Sequence, residues 1–307
     1  MPDVHIAEVG PRDGLQNLAH EFSVAERIDL INRLLGAGPA LVEAVSFVNE
    51  RRVPRMAGAE QILREIERPG DVTIAGLVLN GRGVHRALEC DLDEIRFAVS
   101  ATDAFNIRNV NATVQATVAE FTAAVAPSRA SGKKLTAVVA VAFGCPFAGP
   151  VPAAAVLAVA AQLVDAGADE LILADTIGCA VPTQIRSLIS ALRENWPELP
   201  LGLHLHNTRN TGYLNAIVGV EAGATTLDAS VGGLGGCPFA PNATGNIATE
   251  DLAYILRNMG VSTGVDLESL IGTSEWLGSV IPQEISGQVA RAGLFPEIAS
   301  HDPAQRA

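Results

Sequence analysis

Short apolar runs alternate along the chain with longer stretches in which apolar residues recur at every third or fourth position. The runs predict strands at Val4–Val9, Leu41–Phe47, Thr73–Leu79, Glu94–Ser100, Leu135–Phe143, Glu170–Ala174, Leu201–His206 and Thr226–Val231. The stretches between them predict helices, among them Val24–Leu35, Gly83–Glu89, Val110–Ala126 and Ala153–Ala166, the last stopped by Gly167. Similar phrases lead into three of the strands: GAGPALVEA, AGADELIL and AGATTLDA. Eight strand–helix units at a mean spacing of roughly 32 residues fit an α/β fold, the closed (β/α)8 TIM barrel. An open doubly wound sheet is the alternative, but no GxGxxG phosphate loop follows the first strand. The expected organisation is one domain over residues 1–307, with the barrel in about 1–250 and a C-terminal helical extension in about 251–307.

Composition narrows the function. A net charge of −13 speaks against a nucleic-acid footprint, which needs a basic face. It leaves room for a small anionic ligand met by a local group of arginines. No apolar run approaches the roughly 20 residues of a membrane span. Cys90, Cys145, Cys179 and Cys237 lie far apart with no CxxC, as expected of reduced thiols rather than a disulfide framework. The N-terminus enters a strand pattern at once, with no basic leader. A cytoplasmic location is expected.

In a barrel of this kind chemistry sits at the C-terminal ends of the strands. Arg12 and Asp13 come after strand one; an isolated pair of this type is ordinarily a turn salt bridge. Glu43 lies inside the apolar run LVEAVSF, where an unpaired carboxylate is costly, and Arg12 is its natural partner. Asp175 ends strand six, either capping the next helix or joining the site. In LGLHLHNT the i, i+2 spacing puts His204 and His206 on one strand face. Such a pair is either a satisfied core feature or a ligand pair. After strand eight, SVGGLGGCPFAPNATGN carries Cys237 and Asn246. Two imidazoles, the Asp13 carboxylate and the Asn246 amide make an N2O2 set suited to Mg²⁺, Mn²⁺ or another first-row divalent cation. Cys237 on its own reads as a packed thiol, but Gly235, Gly236 and Pro238 around it suit a loop that closes.

Several phrases then converge. EVGPRDGLQN at 8–17, FNIRNVNATVQ at 105–115, FGCPFAG at 143–149, ADTIG at 174–178 and SVGGLGGCPFAPNATGNIATEDL at 230–252 resemble the hydroxymethylglutaryl-CoA lyase family, within the metal-dependent lyase and Claisen-synthase superfamily. The similarity runs in order from the first strand to about Leu267. It implies that Asp13, His204, His206 and Asn246 hold the cation, Arg12 stabilises an enolate, Glu43 braces the site, and Cys237 is a mobile-loop thiol in proton transfer. The implied reaction cleaves 3-hydroxy-3-methylglutaryl-CoA, a CoA thioester, to acetyl-CoA and acetoacetate, as in leucine degradation, in a homodimeric enzyme.

The chain also departs from the family pattern. HLHNTRN at 204–210 stands where HCHDTYG is usual, Gly232 replaces Ala, Phe239 replaces Tyr, and the usual Glu after Asn17 is missing. These changes leave the cation set intact and alter residues around the acyl group. A lyase for a related or citramalyl-type CoA ester, a Claisen-condensing synthase and a non-catalytic barrel scaffold are the alternatives.

Overall fold

The computed structural model describes residues 4–236, 244–281 and 285–295. Its barrel strands are β1 (His5–Glu8), β2 (Leu41–Ser46), β3 (Thr73–Val78), β4 (Glu94–Ser100), β5 (Lys134–Ala140), β6 (Glu170–Asp175), β7 (Leu201–Leu205) and β8 (Thr226–Ala229). Each pairs in parallel with its sequence neighbours, and β1 pairs with both β2 and β8, closing the barrel. The (β/α)8 expectation is correct. Six of the eight strands end earlier than the apolar runs do, because their last residues leave the ladder to form mouth loops; β4 ends where expected and β6 one residue later. Val141, for example, takes a left-handed φ of 52° and donates its N–H to the Thr176 hydroxyl at 2.8 Å.

The helices are α1 (Val24–Gly36), α2 (Ala59–Glu65), α3 (Gly81–Leu88), α4 (Asp103–Val110), α5 (Val114–Ala130), α6 (Ala153–Ala166), α7 (Pro182–Asn195), α8 (Gly212–Glu221), α9 (Thr249–Asn258), α10 (Leu267–Val280) and α11 (Val289–Ala292). Local chemistry sets their ends. Ser23 and Glu26 form a reciprocal capping box at the start of α1, satisfying two backbone N–H groups. Gly167 closes α6 at φ 110°, a conformation that a Cβ would disfavour. The helix expected over 110–126 starts four residues later and runs further, as α5, and α4 before it was not expected. Asn111 turns left-handed at φ 58°, and Thr113 caps a fresh start by accepting the Ala116 N–H. Polar side chains that favour turns and caps override the continuous apolar pattern here.

The main apolar core fills the space between strands and helices, with Leu30, Leu34, Phe97, Phe121, Leu163 and Leu192 among its buried members. Inside the barrel the apolar contribution is small: Ala7, Leu41 and Ala75 form a separate cluster. No described helix is long and apolar enough to cross a membrane. The C-terminal helices pack back on the barrel's side, where the Asp266 N–H reaches the Ala37 carbonyl at 2.9 Å. The Arg33 guanidinium lies 4.7 Å from the centre of the Trp276 ring.

Candidate metal centre and active site

After β1 the chain turns tightly over Gly10–Gly14, and this turn delivers Arg12 and Asp13 to the barrel mouth. On β7, His204 and His206 project from one face, with Nε2 atoms 3.2 Å apart. The Asp13 Oδ2 lies 3.8 Å from each of those nitrogens. Asn246 arrives on a short segment paired with the end of β7: the Asn207 N–H donates to Gly245 O and the Ile247 N–H to Leu205 O. Its Nδ2 donates to Asp13 Oδ2 at 2.8 Å and to Leu234 O at 2.9 Å. Gly235 permits this approach, since a Cβ there would lie 2.4 Å from Asn246 Nδ2.

The donor set fits a divalent cation. Asp13, His204 and His206 present ligand atoms that all lie within 4.8 Å of one another. The Asn246 Oδ1 beside them is buried with no hydrogen-bond partner among the described residues, a cost that a ligand role would offset. His204 Nδ1 faces Asp228 Oδ2 at 3.2 Å, so a proton held there leaves Nε2 with its lone pair free. Burial works against charge on Asp13, but Arg12 and the two histidines outweigh it and hold the carboxyl well below its ordinary range. Burial favours a neutral His204 ring, while Asp228 and Asp13 raise its pKa.

Arg12 is fixed from two sides. Its Nε meets Glu43 Oε1, and its Nη1 donates to Asp13 Oδ1 at 2.6 Å. The pairing of Arg12 with Glu43 expected from sequence is present, and so is the local salt bridge with Asp13. Nη2 makes no hydrogen bond among the described residues, and Arg12 lines a cavity of about 150 Å³ with Asp13, His204, His206, Asp228 and Gly236.

Asp175 lies elsewhere. Ala174 and Thr176 line the cavity, so strand alternation turns Asp175 outward, where its oxygens accept the Cys179 and Ala180 N–H groups at 2.8 and 2.9 Å. It shapes the turn before α7. Cys237 lies outside the described residues; its neighbour Gly236 accepts a hydrogen bond from Asn17 at 2.8 Å.

Two polar residues that sequence reasoning passed over belong to the same network. Asp228 on β8 and Arg96 on β4 pair at 2.9 Å in the barrel interior. The signal was present: a charged residue inside each of the strand phrases TLDAS and EIRFAVS. A larger cavity of about 940 Å³ lies on the loops after β2 and β3 and between α4 and α5. It holds none of this cluster, and four arginines (Arg51, Arg52, Arg82 and Arg86) line it. Arg86 is engaged by Glu50 and Glu60, whereas Arg51, Arg52 and Arg82 are exposed.

A closed parallel barrel with two imidazoles, a carboxylate and an ionised arginine at its C-terminal mouth defines a barrel enzyme. Comparison with known proteins narrows the class: the chain belongs to the HMGL-like family, whose model matches residues 3–277. It is 42% identical to the (R)-citramalyl-CoA lyase of Chloroflexus aurantiacus, with 99% of each chain covered. It is 38% identical to the hydroxymethylglutaryl-CoA lyase of Pseudomonas mevalonii, over 88% of this chain and 90% of that one. An HMG-CoA lyase structure from A. baumannii, in complex with coenzyme A and 3-methylmalate, superposes with a TM-score of 0.91 at 36% identity, covering 96% of this chain and 97% of that one. The protein is a carbon–carbon lyase.

Proposed function

We propose that this lyase cleaves the CoA thioester of a 3-hydroxy-3-methyl dicarboxylic acid to acetyl-CoA and an oxo acid. The observation that carries the reading is one small cavity joining the Asp13–His204–His206 donor set to the free edge of Arg12. A divalent cation, Mg²⁺ or Mn²⁺, held by Asp13, His204, His206 and Asn246 would supply Lewis-acid polarisation of the substrate's oxygens. The hydroxyl proton passes to the Asp13 carboxylate, the bond between C2 and C3 breaks, and its electron pair becomes the thioester enolate. Arg12, held by Glu43 and Asp13, points its remaining donors at that developing charge, a role worth about 3–4 kcal/mol in oxyanion sites. Cys237, adjacent in sequence to cavity-lining Gly236, delivers the proton that completes acetyl-CoA. The exposed Arg51, Arg52 and Arg82 suit the phosphates of coenzyme A.

Two acyl groups compete. The relative matching over the full chain favours (R)-citramalyl-CoA, which yields pyruvate. The glycine-rich loop phrase and the lyase structures favour 3-hydroxy-3-methylglutaryl-CoA, which yields acetoacetate. They differ by one methylene, a difference that a pocket discriminates by about 1–3 kcal/mol. Turnover of both esters by metal-stripped protein resupplied with Mg²⁺ or Mn²⁺ decides the matter. We expect kcat/KM to be higher for citramalyl-CoA. A higher value for the glutaryl ester reverses the order, and no metal-dependent acetyl-CoA release from either ester ends the reading.

A further inference from the structure

Arg96 is wholly buried inside the barrel and does not line the cavity, yet it touches both halves of the site. Its Nη1 lies 2.9 Å from Asp228 Oδ1 and 3.6 Å from Glu43 Oε2. Asp228 is the residue against His204 Nδ1, and Glu43 is the residue against Arg12 Nε. Its Nε is held by Glu94 Oε1 at 3.1 Å, and Glu94 in turn meets Lys134 at 3.1 Å. One guanidinium nitrogen thus stands behind both the imidazole and the arginine that face the substrate.

Stability alone does not account for it. Burying a guanidinium among carboxylates costs desolvation, and well-packed apolar residues of similar volume often do as well or better. Arg96 Nη2 is buried without a hydrogen-bond partner among the described residues, which adds to that cost. The arrangement makes sense as a rigid bracket: the planar guanidinium fixes one carboxylate through Nε and two through Nη1, which a single ammonium cannot reproduce.

We propose that Arg96 is a positioning residue, which sets the His204 imidazole through Asp228 and the Arg12 guanidinium through Glu43. This rests on the cation and arginine roles given above, and on neither choice of acyl group. Residues that orient a ligand from behind change metal affinity by roughly 10- to 100-fold when replaced. Arg96 meets no substrate, so its loss falls on turnover rather than on binding of the CoA ester.

The test is Arg96→Lys in the full chain, with Mn²⁺ affinity measured by calorimetry without substrate and turnover measured per folded molecule. Affinity should weaken by roughly 10- to 100-fold. The kcat should fall by a similar factor, with KM changed by less than about threefold. In an Asp228→Asn background the same replacement should change Mn²⁺ affinity by at most about twofold, since the connecting carboxylate is already disabled. If Arg96→Lys does not fold, Arg96→Lys with Glu94→Gln removes one stranded carboxylate and carries the same measurements. Lower melting temperature with unchanged Mn²⁺ affinity and unchanged kcat makes Arg96 merely structural and overturns the proposal. Wild-type protein that binds no Mn²⁺ overturns the cation role and this proposal together, whereas tight wild-type binding with an indifferent variant overturns this proposal alone.

Discussion

The two faces of the barrel wall obey opposite chemistry. On β4, Ile95, Phe97 and Val99 point outward into the apolar core, while Glu94 and Arg96 point inward. The outer face meets helices through side chains such as Leu34, Phe121 and Leu163, all buried and apolar. The inner face carries Glu43, Glu94, Arg96, Glu170 and Asp228, each with 3% or less of its surface exposed. Period-two alternation lets one strand serve both. Folding free energy comes mainly from the outer face, while the inner face accepts the cost of buried charge and holds the charged groups of the mouth in place. Damage to the two faces should therefore read out differently.

The largest expected effect is on the outer face. Phe121 stacks edge-on to Phe97 with ring centroids 5.6 Å apart. Phe121→Ala should cost about 3–5 kcal/mol of stability in denaturant unfolding, with turnover per folded molecule unchanged. A comparable loss of turnover would mean that the faces are not separable. Arg12→Lys should do the reverse: kcat should drop by roughly 10²–10³, because an ammonium cannot bridge Glu43, Asp13 and an enolate at once, while the unfolding midpoint moves little. Near-normal turnover would remove Arg12 from the chemistry.

A third prediction concerns the seam between β1 and the loop after β8. Glu8 accepts hydrogen bonds from the Gly10 and Val231 N–H groups and the Thr249 hydroxyl, and burial pushes its carboxyl up to about 8. Burial likewise takes Glu250, which faces Gly232 and Ser274, up to about 7. Folded protein then holds protons that the unfolded chain gives up near its ordinary carboxyl pKa. Their contribution is full below about pH 4.5 and is lost as pH rises through 7 and 8. Metal-free His204, also raised, acts in the same sense. Unfolding free energy should decline from pH 5 to about 8 by about 1.4 kcal/mol per pH unit for each proton difference, and Glu8→Gln should flatten that slope. An unchanged slope in the variant would show that Glu8 is ionised in the fold. The smallest effect is Ser23→Ala, which should cost about 1 kcal/mol through the lost cap on α1, with no effect at the site.

The outer face was legible because apolar periodicity reports where helices and strands bury surface, and all eight strands lie where that pattern puts them. The late start of α5 escaped because the left-handed Asn111 and the cap at Thr113 decide it while the surrounding apolar spacing continues. At the site, Asp13, His204, His206 and Asn246 were legible from motif spacing, and Glu43 from its oddness in an apolar strand. Asp228 and Arg96 were equally odd but lacked a recognised phrase, and their meaning depends on each other across 132 residues of sequence. Asp175 showed the converse: a strand-end carboxylate whose facing depends on a single step of register.

The inner network also sets a valence. Inside the barrel stand five carboxylates, Asp13, Glu43, Glu94, Glu170 and Asp228, against three cations, Arg12, Arg96 and Lys134, the last shared by Glu94 and Glu170 at the floor. With neutral imidazoles the group is two charges short of balance, in surroundings where unbalanced charge is expensive. A monovalent ion leaves the deficit half filled and a trivalent ion overshoots it; a divalent ion brings the barrel's interior to neutrality. Competition of Na⁺, Mn²⁺ and Tb³⁺ for the same site should therefore favour Mn²⁺, and preference for either of the others would show that the charge count does not govern selection.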